Sequence, residues 1–266
     1  MFSCGVRVLR KAVKRATPAR VQPQLLTLYL RALAPFYAGD GLVCPCCDTT
    51  LRAFPTYGVG RHTDHICPRC GSLRRHRLLI LYLRERTTLF EAPNSVLHIA
   101  PEAVIQRILR AEPGIDYTSI DLASPIAMER MDITELRFAD ARFDAIICLH
   151  VLEHVPDDRA AMTELFRVLK PGGWAILETP LDLSLAETEE DPSVVSPRER
   201  ERLYGQPDHV RRYGRDYLER LADVGFSVAL DPYPVELPES AIARYGLNQW
   251  NRGMVVCTRP AAVPGS

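Results

Sequence analysis

The sequence predicts an α/β protein with a mostly parallel sheet, and three consecutive segments carry this prediction. A continuous apolar run of strand length, Asp144 to Leu149, suits a parallel strand buried on both of its faces. A helix follows whose apolar residues recur on one face: Met162, Leu165, Phe166 and Leu169. Trp174 to Thr179 then predicts a second buried strand. A right-handed crossover in such a βαβ unit places the loops after both strands at one edge of the sheet, where open α/β folds bind ligands.

Local chemistry predicts both ends of this helix. Asp157 or Asp158 can accept hydrogen bonds from the free backbone N–H groups at its start. Pro171-Gly172-Gly173 is expected to end it, because proline cannot continue a helix and glycine favours the conformation that follows one.

Two phrases in this region resemble one family of enzymes. Leu149 to Val155 reads LHVLEHV, and Arg167 to Gly173 reads RVLKPGG. At this spacing the two phrases together resemble class I methyltransferases, which use S-adenosylmethionine (SAM). The resemblance implies a Rossmann-like sheet of seven strands, in which the first phrase follows the fourth strand and the second leads into the fifth. An ordinary βαβ unit is the alternative, and neither reading identifies a substrate.

Length and composition set limits on the rest of the chain. A sequence of 266 residues, 47% hydrophobic and 25% charged, is long enough for one sizeable α/β domain and a small module. The formal net charge is zero, so overall charge favours neither a nucleic-acid nor a membrane partner. Residues 1–39 are basic, with helices expected at Val6 to Ala16 and Gln24 to Leu33. Such a lead-in is more typical of a solvated segment than of a site for an anionic partner.

The location expected from the sequence is the cytoplasm. Arg31 interrupts the apolar run from Leu25 to Phe36, so no segment suits a membrane span, and the start does not resemble a signal peptide. The eight cysteines are not spaced as a disulfide framework, and Cys148 falls in a predicted core strand, which favours a reducing compartment.

Four of the cysteines predict a metal site with the pattern C-x2-C-x19-C-x2-C: Cys44, Cys47, Cys67 and Cys70. Two such knuckles can bring four thiolates onto one tetrahedral Zn²⁺. Four sulfur ligands leave no open position, so we expect a structural zinc ribbon. Cys46 is then a spare thiol or, as a less favoured alternative, the true ligand. His62 or His65 as a replacement ligand, and two unrelated cysteine pairs, are the alternatives.

A basic stretch follows the second cysteine pair. Ser72 to Arg77 leads into an apolar helix, Leu78 to Leu83. The phrase GSLRRHRLL resembles bacterial methyltransferases that carry a cysteine-rich module ahead of the catalytic domain. Its basic side chains can hold an anion, either the carboxylate of SAM or a substrate phosphate. A solvated helix start is an equally good interpretation.

The catalytic-type domain is expected to begin near residue 93. Ser95 to Ile99 predicts a strand, Ala103 to Glu112 a helix and Asp116 to Ile120 the next strand. Asp121 lies about 20 residues beyond the first strand-to-helix turn, where a carboxylate can accept both ribose hydroxyls of a nucleotide. The family resemblance gives the same acid the adenosine ribose and places residues 131–133 beside adenine. The expected cofactor residues are Ile99, Ala100, Pro101, Glu102, Asp121, Leu122, Asp132, Ile133, Leu149 and His150.

The first turn departs from the family pattern. That turn usually carries an acid and several glycines, whereas this chain reads HIAPEA from His98 to Ala103. Glycines normally let the backbone approach the ligand closely, and Pro101 has no N–H to donate. Ala100 is a tolerable replacement, and Glu102 is expected to supply a carboxylate for the methionine amine. A degenerate, non-catalytic domain stays open as an alternative.

The remaining segments complete the predicted organisation. It comprises a basic helical lead-in (1–39), a Cys4 module with its following helix (40–90), a methyltransferase domain (91–260) with an insertion (181–208), and a flexible tail (261–266). The insertion is expected to cover the pocket as a lid or substrate surface. Residues 206–214 are dense in groups that bind or transfer protons, and a site-lining role is favoured over a solvated helix start.

Methyl transfer from a sulfonium needs orientation and exclusion of water more than chemical activation. A base is required only for a protonated acceptor near its pKa, and His209 is the candidate, ahead of His150, His154 and Tyr213. A small-molecule or carbohydrate-type acceptor is the first hypothesis. RNA gripped by the zinc module and the basic lead-in is the second, although the zero net charge and the small aromatic surface at the cysteine knuckles disfavour it. A zinc-containing binding protein without activity is the third.

Overall fold

The computed structural model describes residues 22–59, 62–248 and 252–261, and the chain divides into two compact units. The first unit comprises the described residues up to Leu81 together with Pro238–Asn248. The second comprises Tyr82–Leu237 together with the described residues from Arg252 onward. The helix predicted at Val6 to Ala16 lies outside the described residues.

Short hairpins and helices make up the first unit. Its elements in chain order are α1 (Gln22–Leu33), β1 (Ala38–Cys44), β2 (Thr49–Leu51), β3 (Thr56–Val59), β4 (His62–His65) and the start of α2 (Arg74–Arg86). Strand β1 pairs antiparallel with β2, and β3 pairs antiparallel with β4. Strands β1 and β2 flank the first cysteine turn, and the β3–β4 hairpin lies between the two cysteine pairs. The prediction that a hairpin-sized stretch separates the two pairs is therefore confirmed.

A buried arginine is central to the packing of this unit. The guanidinium of Arg77 is fully buried and lies 3.9 Å above the ring of Phe54. It donates hydrogen bonds to four backbone carbonyls: those of His65, Ser72, Tyr245 and Gly246. These contacts occupy the guanidinium with backbone acceptors, so Arg77 is placed as a structural residue and not as a ligand for an exogenous anion. Full desolvation lowers its pKa, and these acceptors compensate for the lost water.

A seven-stranded sheet forms the second unit, which confirms the predicted fold class. Its strands are β5 (Asn94–Ile99), β6 (Ile115–Asp121), β7 (Glu129–Arg130), β8 (Phe143–Leu149), β9 (Leu169–Glu178), β12 (Ser227–Asp231) and β13 (Met254–Thr258). Their order across the sheet is β12-β13-β9-β8-β5-β6-β7. The pairs from β9 to β7 are parallel, and β13 is antiparallel to both of its neighbours.

Helices cover this sheet, and short elements join its strands. The helices are α3 (Ala103–Ala111), α4 (Asp158–Val168), α5 (Pro197–Tyr204), α6 (Tyr217–Val224) and α7 (Tyr233–Glu236), and α8 (Glu239–Arg244) belongs to the first unit. Two further short strands, β10 (Glu189–Glu190) and β11 (Arg211–Arg212), pair antiparallel with each other. Helices α7 and α8 were not predicted, because they have only 4 and 6 residues and prolines interrupt the segment, so no helical periodicity is visible.

The predicted central strand is confirmed by its burial. Residues 145–149 of β8 are all buried, as expected for a parallel strand with neighbours on both sides and helices on both faces. The cap of α4 is also confirmed, since Asp157 accepts a hydrogen bond from the N–H of Ala160 at 2.9 Å. The end of α4 differs from the prediction. The helix stops at Val168, and Pro171-Gly172-Gly173 lies inside β9.

The reason is that Pro171 disfavours a helical conformation for the residue before it, so the chain becomes extended early. Gly172 takes a φ of 78°, and the strand register shifts between Phe143 and Ala145. A Cβ on Gly173 would lie 2.8 Å from the carbonyl oxygen of Asp144. The two glycines therefore make room for the register shift between β8 and β9.

Ion pairs hold the pairing of β10 with β11 against the rest of the second unit. Glu190 accepts from the guanidinium of Arg211 at 2.8 Å and from that of Arg220 at 2.8 Å. Arg220 also lies 3.3 Å from the buried carboxylate of Asp158 at the start of α4. Burial works to raise the pKa of Glu190, and the two arginines outweigh it, so the pKa lies below its usual 4.5.

We expect Glu190→Gln to lower the free energy of unfolding by about 2 kcal/mol at neutral pH, because it removes charged hydrogen bonds. A carboxylate with a lowered pKa adds stability above pH 4.5 and loses it as the pH falls below that value. The deficit of the variant should therefore shrink towards about pH 3.5. Urea unfolding at both pH values measures this, with Glu189→Gln as the matched control. An equal deficit at both pH values would contradict the assignment.

Candidate functional site

The carboxyl ends of three adjacent strands define the candidate site. Strand β5 lies between β6 and β8, and its last residue, Ile99, is in register with Ile120 and with Cys148. The residues that follow, Ala100, Asp121 and Leu149, therefore lie side by side at one edge of the sheet. The structure thus brings most of the predicted cofactor residues together, and it places Asp132 and Ile133 just after the neighbouring β7.

The turn after β5 is formed without glycine. Ala100 adopts a left-handed conformation with a φ of 48°, and its N–H donates to the carbonyl of Ile120 at 2.8 Å. This conformation costs a residue with a Cβ about 1–2 kcal/mol. Pro101 follows and is buried. Ala100 thus occupies the conformation that a glycine would adopt freely, and the hydrogen bond to the adjacent strand holds it there.

A buried histidine fixes the acid that follows this turn. His98 is fully buried, and its Nε2 donates to a carboxylate oxygen of Glu102 at 3.0 Å. Its other ring nitrogen lies 2.9 Å from the hydroxyl of Tyr117, whose pKa is raised by burial. Glu102 is the residue immediately before α3, so its carboxylate is held at the sheet edge near the helix start. This role of His98 was missed, although an alternating polar residue in an apolar strand is a usable signal.

The predicted ribose ligand also shapes its own loop. One oxygen of Asp121, Oδ1, accepts from the N–H groups of Ala123 and Ser124 at 2.7 and 2.6 Å. The second oxygen accepts no hydrogen bond from the residues that the structure describes, and is available to a ligand. Leu122 beside it is 57% exposed. An exposed apolar side chain next to an anchored carboxylate suits a flat, partly apolar ligand.

Two other predicted residues have mainly structural contacts. Asp132 accepts from both the N–H and the hydroxyl of Thr134, at 2.9 and 2.8 Å, as in a turn. Ile133 is buried in the core of the second unit. Ile99 and Leu149 are likewise buried, so they offer a ligand their backbone and little side-chain surface.

The turn after β8 is a second left-handed turn without glycine. His150 has a φ of 56°, and its N–H donates to the carbonyl of Glu178 at the end of β9 at 2.8 Å. A short 3-10 helix, Leu152–His154, follows directly. The Nδ1 atom of His150 lies 3.5 Å from Oε1 of Glu153.

Glu153 is the most deeply buried acid near this edge, with 1% of its surface exposed. Its Oε2 accepts from the hydroxyl of Thr179 at 3.1 Å. Burial works to raise the pKa of Glu153, and the neighbouring His150 outweighs it, so the pKa is lowered and the group is an anion. The phrase LHVLEHV contains this residue, but nothing in the sequence shows that it points inward.

The segment that carries the predicted base lies against the same loop. The N–H of Val210 donates to the carbonyl of Glu153 at 2.9 Å, and Arg211 donates to the carbonyls of Leu152 and Pro156 at 3.0 and 2.8 Å. His209 is 3% exposed, and burial lowers its pKa, so the ring is neutral at neutral pH. The proximity to the sheet edge agrees with a site-lining role for this segment.

Tyr213, one of the reserve candidates for a base, has a different position. It is fully buried and donates to the carboxylate of Asp158 at 2.7 Å. Burial raises its pKa, so the hydroxyl keeps its proton. This contact places Tyr213 in the core.

The four predicted cysteines converge in the first unit, with all four sulfur atoms within 4.8 Å of one another. Sγ of Cys44 is 3.6 Å from that of Cys70, and Sγ of Cys47 is 3.8 Å from that of Cys67. Cys46 is also buried but is not one of these four, and its sulfur lies 3.6 Å from the carbonyl of His76.

The two cysteine turns have the same geometry. The N–H of Asp48 donates to the carbonyl of Cys44 at 2.8 Å, and the N–H of Gly71 donates to that of Cys67 at 2.9 Å. Asp48 and Gly71 both have positive φ, of 53° and 79°. Hydrogen bonds from the other three thiols, the largest effect coming from Cys44, lower the pKa of Cys47. The pKa of Cys67 is raised, chiefly by its hydrogen bond with Cys44 and also by burial. Four thiols this close together, two of them on buried residues, cannot all ionise without a cation among them.

The histidine alternatives to these ligands are not favoured. Nδ1 of His65 lies 3.1 Å from the carbonyl of Phe54 and donates to it. The side chain of His62 lies outside the described residues.

Among the helices that the structure describes, none is both long and apolar enough to cross a membrane.

Comparison with known proteins relates part of this chain to a family of enzymes. Residues 94–177 match the family model for a methyltransferase domain. A ubiquinone biosynthesis O-methyltransferase from Alkalilimnicola ehrlichii is 39% identical over 23% of this chain and 25% of the relative. Another from Pseudomonas aeruginosa is 31% identical over 38% of this chain and 50% of the relative. A protein from Mycolicibacterium smegmatis named "Probable S-adenosylmethionine-dependent methyltransferase" is 32% identical over 47% of each chain. The chain thus spans half or less of the length of these relatives.

We expect Ala100→Gly to raise the free energy of unfolding by about 0.5–1 kcal/mol, because relief of the left-handed strain exceeds the entropy that glycine adds to the unfolded chain. Ala103→Gly, at the start of α3 with ordinary backbone angles, is the matched control and should lower it by up to about 1 kcal/mol. Denaturant unfolding of the two variants measures both changes. Equal destabilisation by the two variants would contradict the strained turn.

Proposed function

Because residues 94–177 form a class I methyltransferase domain, a class that uses SAM, we propose that this chain transfers the methyl group of SAM to a small-molecule acceptor. The observation that carries the proposal is the placement of Ala100, Asp121 and Leu149 at one sheet edge. Acid, backbone and apolar surface meet there as a nucleotide with an amino-acid tail requires.

The residues at this edge fit SAM in the following way. The free oxygen of Asp121 would accept the ribose hydroxyls, and the exposed side chain of Leu122 would offer the adenine an apolar surface. The carboxylate of Glu102, held by His98, accepts from the ammonium group of the methionine portion. His98 is therefore a positioning residue: it holds Glu102, the acid that takes the place of the family's glycine-rich turn in contacting the cofactor. Bound SAM supplies a methyl group already activated by its sulfonium.

The chain's own contribution to the reaction is orientation. Rigid strand ends and the two constrained turns at Ala100 and His150 hold the cofactor residues in fixed positions. The insertion, with β10 and α5, is proposed to cover the site and exclude water. His209 remains the predicted base for an acceptor that must lose a proton.

A small-molecule acceptor is supported by the relatives, whose names give ubiquinone biosynthesis as their role and oxygen as the methylated atom. The zero net charge of this chain supplies no electrostatic attraction for RNA. We therefore propose a small acceptor that carries a hydroxyl group.

Calorimetry with SAM tests the cofactor site directly. We expect Asp121→Asn and Glu102→Gln each to weaken SAM binding by roughly tenfold or more, since each removes a charge-assisted hydrogen bond worth about 1.4 kcal/mol or more. Asp116→Asn, at the opposite end of the same strand β6, is the matched control and should bind as the unchanged protein does.

Three results would overturn parts of this proposal. The absence of binding heat in the unchanged protein would leave a non-catalytic scaffold. Unchanged binding by Asp121→Asn would remove the ribose assignment. SAM binding together with salt-dependent retention of RNA would replace the small acceptor by RNA.

We propose in addition that Cys44, Cys47, Cys67 and Cys70 hold a structural Zn²⁺. Their convergence within 4.8 Å and the paired knuckle turns support four sulfur ligands around one ion. The ion would neutralise the buried thiolates and join β1 to the turn before α2, so that its binding adds directly to the stability of the first unit.

Metal analysis and cobalt substitution test this site. We expect Cys67→Ser to lose the tightly held ion and the sulfur-to-cobalt charge-transfer absorption, and to melt at a lower temperature. Cys46→Ser is the matched control, because that thiol lies outside the cluster, and it should keep both. A folded Cys67→Ser protein with full charge-transfer absorption would refute the ligand set.

A further inference from the structure

A second cluster of ligating side chains lies in the second unit. One atom from each of Glu153, His154 and His209 lies within 4.8 Å of the others. The first two follow β8, and the third comes from the segment before β11. The rings of His154 and His209 meet edge to face, with centroids 4.8 Å apart. Two imidazoles and a carboxylate form a donor set that binds divalent transition metals.

Each member is held by a contact that leaves one donor atom for a metal. The Nδ1 atom of His209 donates to the carbonyl of Tyr204 at 3.1 Å, so Nε2 carries the lone pair. The Nδ1 atom of His154 donates to the carbonyl of Asp208 at 3.3 Å, which likewise frees Nε2. Metal-binding histidines are typically oriented by a donated hydrogen bond of this kind. Glu153 uses Oε2 for Thr179, and its Oε1, which lies 3.5 Å from Nδ1 of His150, has lone pairs left for an ion.

The leftover atoms are buried without a hydrogen bond. Oε1 of Glu153 and Nε2 of His209 are inaccessible to solvent, and neither makes a hydrogen bond among the residues that the structure describes; Oε1 has the ring of His150 at 3.5 Å, and Nε2 has no such contact. Burying such an atom unsatisfied costs about 1–3 kcal/mol. A carboxylate oxygen and an imidazole lone pair are both acceptors, so neither can satisfy the other without a shared proton or cation. A cation between them satisfies both.

We propose that Glu153, His154 and His209 bind a divalent transition-metal ion, with Zn²⁺ fitting the donor set best. Ligand atoms around one tetrahedral Zn²⁺ lie about 3.3 Å apart, so binding draws the three atoms together from their present separations. The side chain of His154 is 34% exposed and gives the ion access from solvent, whereas the other two ligands are shielded.

Three protein ligands leave at least one coordination position for an exogenous oxygen. That position suits a hydroxyl oxygen of the methyl acceptor, whose pKa the ion would lower; this role, unlike ion binding itself, rests on the proposed methyl transfer. The assignment also changes the reading of His209. A nitrogen that ligates a metal is not a proton acceptor, so His209 holds the ion, and the ion takes over the activation of the acceptor.

Cobalt titration of the full-length protein tests ion binding without SAM or acceptor. A weak chelator first removes exchangeable ions, and the tightly held ion of the four cysteines is counted. We expect one further Co²⁺ to bind per chain, with ligand-field absorption and no sulfur-to-cobalt charge transfer. Glu153→Gln and His209→Gln should each weaken this binding by at least roughly tenfold.

His154→Gln, a change at the most exposed ligand, should have the same effect and keeps the test valid if a buried variant does not fold. His65→Gln, in the first unit, is the matched control and should bind the second ion unchanged. Thermal unfolding in chelator checks that each variant is folded. The proposal is overturned if the unchanged protein binds no second ion, or if the ligand variants bind it as tightly as the control. Failure of the SAM titration alone would leave the metal site standing.

Discussion

The burial of β8 is the constraint on which the rest of the second unit depends. Residues 145–149 are enclosed by β5 and β9 on either side, so the strand carries apolar side chains throughout. Polar chemistry on this segment begins at His150, the first residue beyond it. The sharp turn there sends the chain into a single 3-10 turn, and the same turn returns Glu153 to the end of β9, where Thr179 meets it. A longer or straighter exit would carry that carboxylate into solvent.

Both turns at this edge use the left-handed conformation without glycine, and in both a backbone hydrogen bond to an adjacent strand holds it. Ala100 donates to Ile120, and His150 donates to Glu178. The left-handed conformation costs about 1–2 kcal/mol per residue, but it gives a rigid turn that carries a side chain, which a glycine would lack. At His150 that side chain helps to keep the buried Glu153 ionised. The missing glycines are therefore consistent with a working site.

The sequence was sufficient wherever the signal was local. The apolar run of β8, the cap at Asp157 and the spacing of the four cysteines were each predicted, because each depends on residues close together in the chain. The inward direction of Glu153 was not predictable, since it depends on His150 adopting a positive φ. Nor was the pairing of His209 with His154, which is set by β10 meeting β11 across an insertion with no strand periodicity.

Contacts over long sequence separations also explain the missed part of the first unit. Tyr245 and Gly246 supply carbonyls to Arg77 although they lie 168 and 169 residues further along the chain. A buried guanidinium needs several acceptors, and the sequence gives no hint of which backbone will supply them. The basic phrase GSLRRHRLL thus resembled an anion site, whereas its most buried arginine completes a core.

The two ligand clusters differ in what holds them together, and that difference predicts different behaviour. The four thiols lie close to one another, with Ser72 and Thr49 as hydroxyl partners of Cys44 and Cys47, and the proposed Zn²⁺ would offset the repulsion among their thiolates. Glu153, His154 and His209 are instead positioned by Thr179, Asp208 and Tyr204, partners that belong to the protein. Because the protein itself orients these side chains, the proposed site can release and rebind its ion without unfolding. With only three protein ligands, it also keeps one coordination position open for chemistry. The two proposed metal sites, one structural and one open to an exogenous ligand, could therefore coexist because different side chains support them.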